Sequence, residues 1–502
     1  MKASPVENSE TNPSGYGLRQ WAGWLLGLGA LLLTLLLPPP EGLSIAGWHT
    51  AGVALLMAVL WICESIPLPA TALLPLVVFP LLGLGTIQES AAPYAHPIIY
   101  LFLGGFIIAL AMQRWQLHRR VALNLIGFMG TRPSRIIAGF LLASALLSMW
   151  VSNTATALMM LPIALSVVQL LPQESADSPG YKAFGTALLL AVAYGATAGG
   201  MGTLIGTPPN ALLAAYLGKV YNVTIGFGQW MLLGVPVVLV TLPLVYLLLT
   251  RISFRLGRGE VPGMAALIAG EKSRLGRMGR GERTVLIIFL LTALGWIFQP
   301  LLAKLIPLLS DTTIAMIGAL LLFALPVNLR RGEFVMNWES TKALPWEVLL
   351  LFGGGLSLAG NIQKHGLSQY LGELCGGLGG MPMLLTLALV CFGILMLTEL
   401  TSNTATAATF LPIVAALAIS LGQNPLLFLI PAALAANCSF MMPVGTPPNA
   451  IVFGSGRMTL PQMAWAGLWL NLIMVPVIIG LVLLLGPLIF DLRFDTLPSW
   501  AQ

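Results

Sequence analysis

Apolar runs joined by short polar links cover almost the whole chain: 19–37, 46–63, 66–84, 98–113, 136–151, 156–171, 184–217, 229–250, 284–307, 311–327, 345–362, 381–397, 405–421, 424–456 and 463–491. A water-soluble fold would need a polar exterior, and the residues for one are missing. Charged residues make up 8% of the 502, against about 25% in a soluble domain. In lipid, a backbone must satisfy its own hydrogen bonds, which for runs of this length means helices. The pattern predicts an all-α polytopic membrane protein whose first partner is the lipid bilayer. The net charge of +6 does not argue for a nucleic-acid partner, because the basic residues sit in short links between apolar runs. Residues 1–18 are polar and predict a disordered cytoplasmic N-terminus. The run 19–37 is too long for a signal peptide, has no small-residue cleavage site, and reads as a spanning helix. Cys63, Cys375, Cys391 and Cys438 show no C-x-x-C spacing, and the four His residues do not cluster with them. Free thiols are expected, not a disulfide framework or a zinc site.

Two pairs of runs are too short to cross about 30 Å of hydrocarbon, and each pair meets at the same polar cluster. "SMWVSNTATALMMLP" begins at Ser148 and "TELTSNTATAATFLP" at Thr398; between 151–164 and 401–414, nine of fourteen residues are identical. Two short arms joined at a polar tip predict a re-entrant hairpin, tolerated at membrane depth only where it lines a cavity or is buried in protein. The hairpins are expected at 136–171 and 381–421. The repeat is wider: "LFLGGFIIALAMQRWQL" at 101–117 aligns with "LFGGGLSLAGNIQKHGL" at 351–367, and "GTPPN" stands at both 206–210 and 445–449. Paired prolines cannot continue a helix, so the runs 184–217 and 424–456 are predicted to be broken near their middles.

The basic segments set the orientation. Residues 251–283 carry eight Lys/Arg and three Glu, and with 114–120, 131–135 and 328–333 they are expected on the cytoplasmic side. That places the N-terminus inside, counts about eleven spanning helices plus two hairpins, and leaves the C-terminus outside. The first half is 19–250, the basic cytoplasmic loop 251–283, and the second half 284–502. An odd number of spans separates the two copies, so they enter from opposite faces as an inverted repeat, the plan of secondary transporters.

Each tip offers hydroxyls and an amide: Ser152, Asn153 and Thr154, then Ser402, Asn403 and Thr404. Ser148 and Thr398 correspond one turn earlier. Helices starting at the tips direct N–H groups and positive dipole ends toward them, which suits an anion. The unwound segments expose carbonyls, which with hydroxyls and amide oxygens suit sodium. Thr207, Asn210, Thr446 and Asn449 add polar atoms at the breaks, where Gly206 and Gly445 permit close backbone approach. No Lys or Arg lies between Arg135 and Lys182, nor between Lys364 and Arg457. Neutral donors do not cancel the charge of a bound anion, so cations must arrive with it. Sodium coupling follows. Glu399 has Met149 as its repeat partner and reads as a residue paired inside the bundle before a proton-coupling carboxylate; His96 and Glu64 fall near helix ends. No His/Asp/Glu/Cys cluster offers catalytic chemistry, so no enzyme is expected, and broken helices in a repeat favour alternating access over an open channel.

The paired S-N-T motifs and "MPVGTPPNAIVFGSG" at 442–456 resemble the divalent anion/sodium symporters, the group of sodium/dicarboxylate and citrate carriers, over about residues 19–491. The resemblance implies a homodimer of protomers with scaffold and transport domains, in the cell (inner) membrane. It implies sodium-coupled uptake of C4-dicarboxylates such as succinate, malate and fumarate by an elevator movement. Carriers of citrate or sulfate and sodium-independent exchangers belong to the same group. Carried over, a first sodium site comprises Ser148, Ser152, Asn153 and Gly206, and a second Thr398, Ser402, Asn403 and Gly445. Substrate carboxylates meet Asn153, Thr154, Asn403 and Thr404, with Thr207, Pro208, Thr446 and Pro447 close by. Some sodium-coupled relatives carry Ala at the position of Gly445; only a backbone carbonyl is used there, so little change is expected.

Overall fold

The computed structural model describes residues 16–170, 179–257, 259–374, 380–494 and 496–501. Most of the 1–18 segment and Cys375 lie outside the described residues; Cys63, Cys391 and Cys438 are free thiols. Among the described residues the chain is helical but for one two-stranded antiparallel ribbon, Pro326–Asn328 with Glu333–Phe334. The ribbon is the one departure from an all-α reading, and it falls in a link between helices. Among the described residues seven helices are long and apolar enough to cross a bilayer unaided, or eight with Arg280–Ile297 and Gln299–Leu305, which meet at 81°. Counting eleven crossings requires taking broken runs as single spans. The run 66–84 is such a case: it divides into Leu68–Thr71 and Leu74–Leu81, with Pro69 and Pro75 in the first turns of the two pieces, where a missing N–H donor is tolerated.

Unbroken spans show ordinary start and stop chemistry. Ile45–Cys63 begins at Ser44, whose hydroxyl accepts from Gly47 N at 3.0 Å, and ends at Glu64 in the left-handed region. Leu25, Leu239, Leu291, Leu484 and Leu488 are exposed on the outside of the bundle. Lipid is the solvent that tolerates such a surface.

Each segment expected as a hairpin contains two short helices meeting at an S-N-T tip. Pro133–Ser148 and Asn153–Gln169 are the arms of the first, Met383–Thr398 and Asn403–Ser420 those of the second. Both long runs break at the prolines. Pro179–Gly200 gives way at 201–207 to Pro208–Tyr221, and Pro425–Ala435 gives way at 436–446 to Pro447–Phe453. The helices behind the breaks approach them closely. A Cβ at Gly234 would lie 2.6 Å from Met201 O, and one at Gly467 would lie 2.3 Å from Phe440 O, so each position excludes a side chain.

The basic segment 251–283 is folded against the bundle. It contains the helix Met264–Leu275, Arg119 pairs with Glu271, and Arg120 Nε reaches Glu282 Oε1 at 2.6 Å. Glu282 in turn raises the pKa of the Arg120 guanidinium. Arg119 and Arg120 belong to the amphipathic helix Leu117–Met129, so the link between the halves is strapped to that helix.

Candidate functional site

The first tip is built from its own backbone and hydroxyls. Ser152 caps Asn153–Gln169, its Oγ accepting from Ala155 N at 3.3 Å. The amide nitrogen of Asn153 faces Ser148 Oγ at 2.5 Å and the carbonyls of Gly206 and Ala196 at 3.2 Å each. The hairpin is thereby tied to both sides of the first break. In the second tip Thr398 Oγ1 lies 2.8 Å from Asn403 Oδ1 and 2.9 Å from Ala436 O. Ser402 occupies the capping position there without a side-chain cap bond.

The two breaks are built alike. Thr207 and Thr446 are extended N-caps with φ −150° in both and ψ 143° and 144°. Asn210 Nδ2 donates to Thr203 O at 2.9 Å, and Asn449 Nδ2 to Met442 O at 3.0 Å and Ser439 O at 3.1 Å. Each GTPPN asparagine thus bonds the backbone its own prolines unwound, which removes the penalty for unpaired buried carbonyls. At Gly206 a Cβ would meet Gly200 O at 2.4 Å; at Gly445 it would meet Ser439 Oγ at 1.9 Å. The second obstacle is the end of a side chain held only by 3.5 Å contacts, so the small effect expected of Ala at 445 requires Ser439 to rotate.

A cavity of about 1230 Å³ joins these parts. Ser152, Asn153, Thr154, Gly206, Thr207 and Pro208 line it together with Ser402, Asn403, Thr404, Gly445, Thr446 and Pro447. Ser148 and Thr398 stand one layer behind, fully buried, and reach the cavity through the asparagine amides. Helices Pro97–Arg114 and Trp346–Lys364 supply a facing wall, through Phe106, Leu110 and Leu351. The lining also includes Gln113, Glu64 and residues 343–348. Near that end of the molecule Trp115 Nε1 meets Val335 O at 2.8 Å and Gly281 packs on the Trp115 ring, on the side of the basic link. Among the described residues the lining has two carboxylates, Glu64 and Glu347, and no basic side chain. Tips, unwound carbonyls and helix N-termini converge on one cavity whose described lining carries no positive side chain.

Three features lie outside the repeated motifs. Asn437 bridges the two halves: Thr207 Oγ1 donates to its Oδ1 at 2.7 Å, and its Nδ2 donates to Asn210 Oδ1 at 2.9 Å. At the offset that aligns the GTPPN motifs its counterpart is Ala198, so symmetry does not mark it; a lone amide in an apolar run was the available signal. Thr203, bonded to Met149 O and to Gly206 N, has Met442 as its counterpart. The third feature is the surroundings of Glu399. Phe440 N and Met441 N donate to its Oε1 at 2.7 and 2.9 Å, Met442 N to its Oε2 at 2.9 Å, and Asn471 Nδ2 to Oε1 at 2.6 Å. His96 caps the Pro97–Arg114 helix and Glu64 ends Ile45–Cys63.

The family profile described as the transmembrane region of the sodium:sulfate symporters matches residues 18–492. The sodium-dependent dicarboxylate transporter SdcS of Staphylococcus saprophyticus is 43% identical over 487 residues, 96% of this chain and 94% of the relative. SdcS of Staphylococcus aureus (strain USA300) is 42% identical over 483 residues, 95% of this chain and 93% of the relative. Among solved structures the YdaH transporter of Alcanivorax borkumensis has TM-score 0.58 at 15% identity, covering 94% of this chain and 98% of that one. MtrF of Neisseria gonorrhoeae has TM-score 0.54 at 12% identity, covering 93% and 95%. Those two speak to the fold alone.

Proposed function

This chain is a multi-pass membrane protein of the sodium:sulfate symporter family, matched over 18–492, and on that premise we propose that it is a sodium-coupled dicarboxylate symporter of the cell membrane. The observation that carries the reading is the charge pattern of the cavity. Two S-N-T tips and two proline breaks converge on a space that no basic side chain among the described residues lines. An anion held there by hydroxyls, amides and helix N-termini needs cations that travel with it. The carbonyls and hydroxyls of the two tips supply two sodium sites, with Asn153 and Asn403 shared between ion and substrate carboxylate. The names of the staphylococcal relatives support a dicarboxylate before sulfate.

In this reading the basic link 251–283 faces the cytoplasm and the cavity opens to that side. The hairpins and broken helices form a transport domain that moves as one body. The helices Pro97–Arg114 and Trp346–Lys364 stay with a scaffold that pairs two protomers. The two halves relate as an inverted repeat, so the site lies near the midplane with similar walls on either side.

The deciding experiment is radiolabelled succinate uptake into proteoliposomes under an imposed inward sodium gradient, competed by malate, fumarate, citrate and sulfate. Uptake that needs sodium and is competed by the C4 diacids is expected. Equal uptake without sodium into substrate-loaded vesicles would make the protein an exchanger. Competition by sulfate alone would overturn the substrate class.

A further inference from the structure

Glu399 is the one acidic residue within either hairpin or broken helix among the described residues, and it is 3% exposed. Backbone N–H groups of Phe440, Met441 and Met442 point at it from three successive residues of the unwound segment 436–446, and both carboxylate oxygens accept from them. Asn471 adds a fourth donor at 2.6 Å. Four donors on the two oxygens, three of them backbone N–H groups, stabilise the ionised carboxylate. Among the described residues no Lys, Arg or His pairs with it. A buried ionised group without a counter-charge is costly, and its neighbours indicate where the counter-charge belongs. Its side chain orders the segment that leads into Gly445, and its own carbonyl would lie 3.1 Å from a Cβ at Gly445. Thr398, Ser402 and Asn403 stand within one turn on either side.

We infer that Glu399 is the positioning residue of the second sodium site: its carboxylate holds 436–446 in ion-binding shape and gives that site a fixed negative charge. The inference rests on the sodium-coupled reading above. The first repeat provides the contrast. Met149 replaces the glutamate there, and the unwound segment 201–207 is held by the neutral Thr203 hydroxyl, bonded to Met149 O and Gly206 N. The two sodium sites are therefore electrically unequal. The second binds its ion more tightly and fills first, because a nearby negative charge in a medium of intermediate dielectric favours a cation by about tenfold or more.

The test is a sodium titration of the purified full-length protein, read as thermal stabilisation at constant ionic strength with choline and without any anion substrate. Sodium-activated uptake is measured in parallel. Glu399→Gln is expected to move the tighter sodium midpoint at least tenfold upward, in thermal stabilisation and in sodium-activated uptake alike. Glu399→Asp, which keeps the charge, is expected to stay within about threefold in sodium midpoint, and it carries the test where the Gln variant does not fold. A native sodium midpoint in Glu399→Gln overturns the proposal. So does a tenfold loss in Glu399→Asp, which would assign the role to side-chain length. A wild-type protein that sodium fails to stabilise overturns the sodium-coupled premise itself. Because no dicarboxylate is present, an error in the substrate class leaves the titration unaffected.

Discussion

Thr207 Oγ1 donates to Asn437 Oδ1 across 2.7 Å although the two residues belong to opposite halves of the chain. Asn437 Nδ2 extends the contact to Asn210 Oδ1 at 2.9 Å, so one amide holds the first proline break against the segment that unwinds into the second. Asn437→Ala leaves the Thr207 hydroxyl and the Asn210 carbonyl oxygen buried without these partners. Each such loss costs about 1–3 kcal/mol, so a destabilisation of about 2–5 kcal/mol is expected. The check is the unfolding midpoint in detergent, together with succinate uptake reduced at least tenfold. A native midpoint would show that packing alone holds the breaks together.

Asn153→Ala and Asn403→Ala each remove an amide shared between a tip and its cavity. Either change is expected to reduce uptake to a few per cent of the wild-type rate with normal membrane expression, measured with labelled succinate and by immunoblot. Near-normal uptake in either variant would reduce the S-N-T motifs to packing features.

Gly206 and Gly445 are motif counterparts with different obstacles. A Cβ at 206 meets the Gly200 backbone at 2.4 Å, whereas a Cβ at 445 meets the Ser439 hydroxyl first and the Glu399 backbone only at 3.1 Å. Gly206→Ala is expected to abolish uptake, because backbone has to move. Gly445→Ala is expected to retain at least a third of the activity, because a serine rotamer can change. Equal losses in the two variants would contradict this account.

Charge counting predicts a response to voltage. A dicarboxylate, two sodium ions and an ionised Glu399 leave one negative charge in the buried site; a third sodium removes it and makes the cycle carry net positive charge inward. An inside-negative potassium diffusion potential is expected to speed succinate uptake severalfold. A flat response would indicate two ions per dianion, or exchange.

Rigid-body movement of the four ligand-bearing segments is open to cross-linking. In a cysteine-free background, one cysteine at Leu110 on the facing helix and one at Leu158 on the first hairpin both line the same cavity. Bridging them is expected to stop transport and leave substrate binding measurable by equilibrium dialysis. Full-rate transport through the bridge would rule out an elevator between these bodies.

The breaks and tips were legible because the cause is local. A Pro-Pro pair ends a helix wherever it stands, and a polar tip between two short arms has few places to go in lipid. Repetition then multiplied the signal. Asn437 and the nest around Glu399 were not legible, since both depend on residues brought together from distant segments: Asn437 with Thr207, and Glu399 with Asn471 and the Phe440–Met442 amides. The run 66–84 reads as one span by hydropathy, yet it divides into Leu68–Thr71 and Leu74–Leu81. The ribbon at 326–334 left no periodicity long enough to detect.

The absence of basic side chains from the cavity lining, among the described residues, has a thermodynamic consequence. A pocket that owned its positive charge would grip a dianion equally on either face of the membrane. In the sodium-coupled reading the grip is borrowed from the bathing solution, so affinity falls wherever sodium is scarce and the cargo is let go there. Net flow then follows the combined sodium, substrate and electrical gradients, and reversing them turns the carrier around.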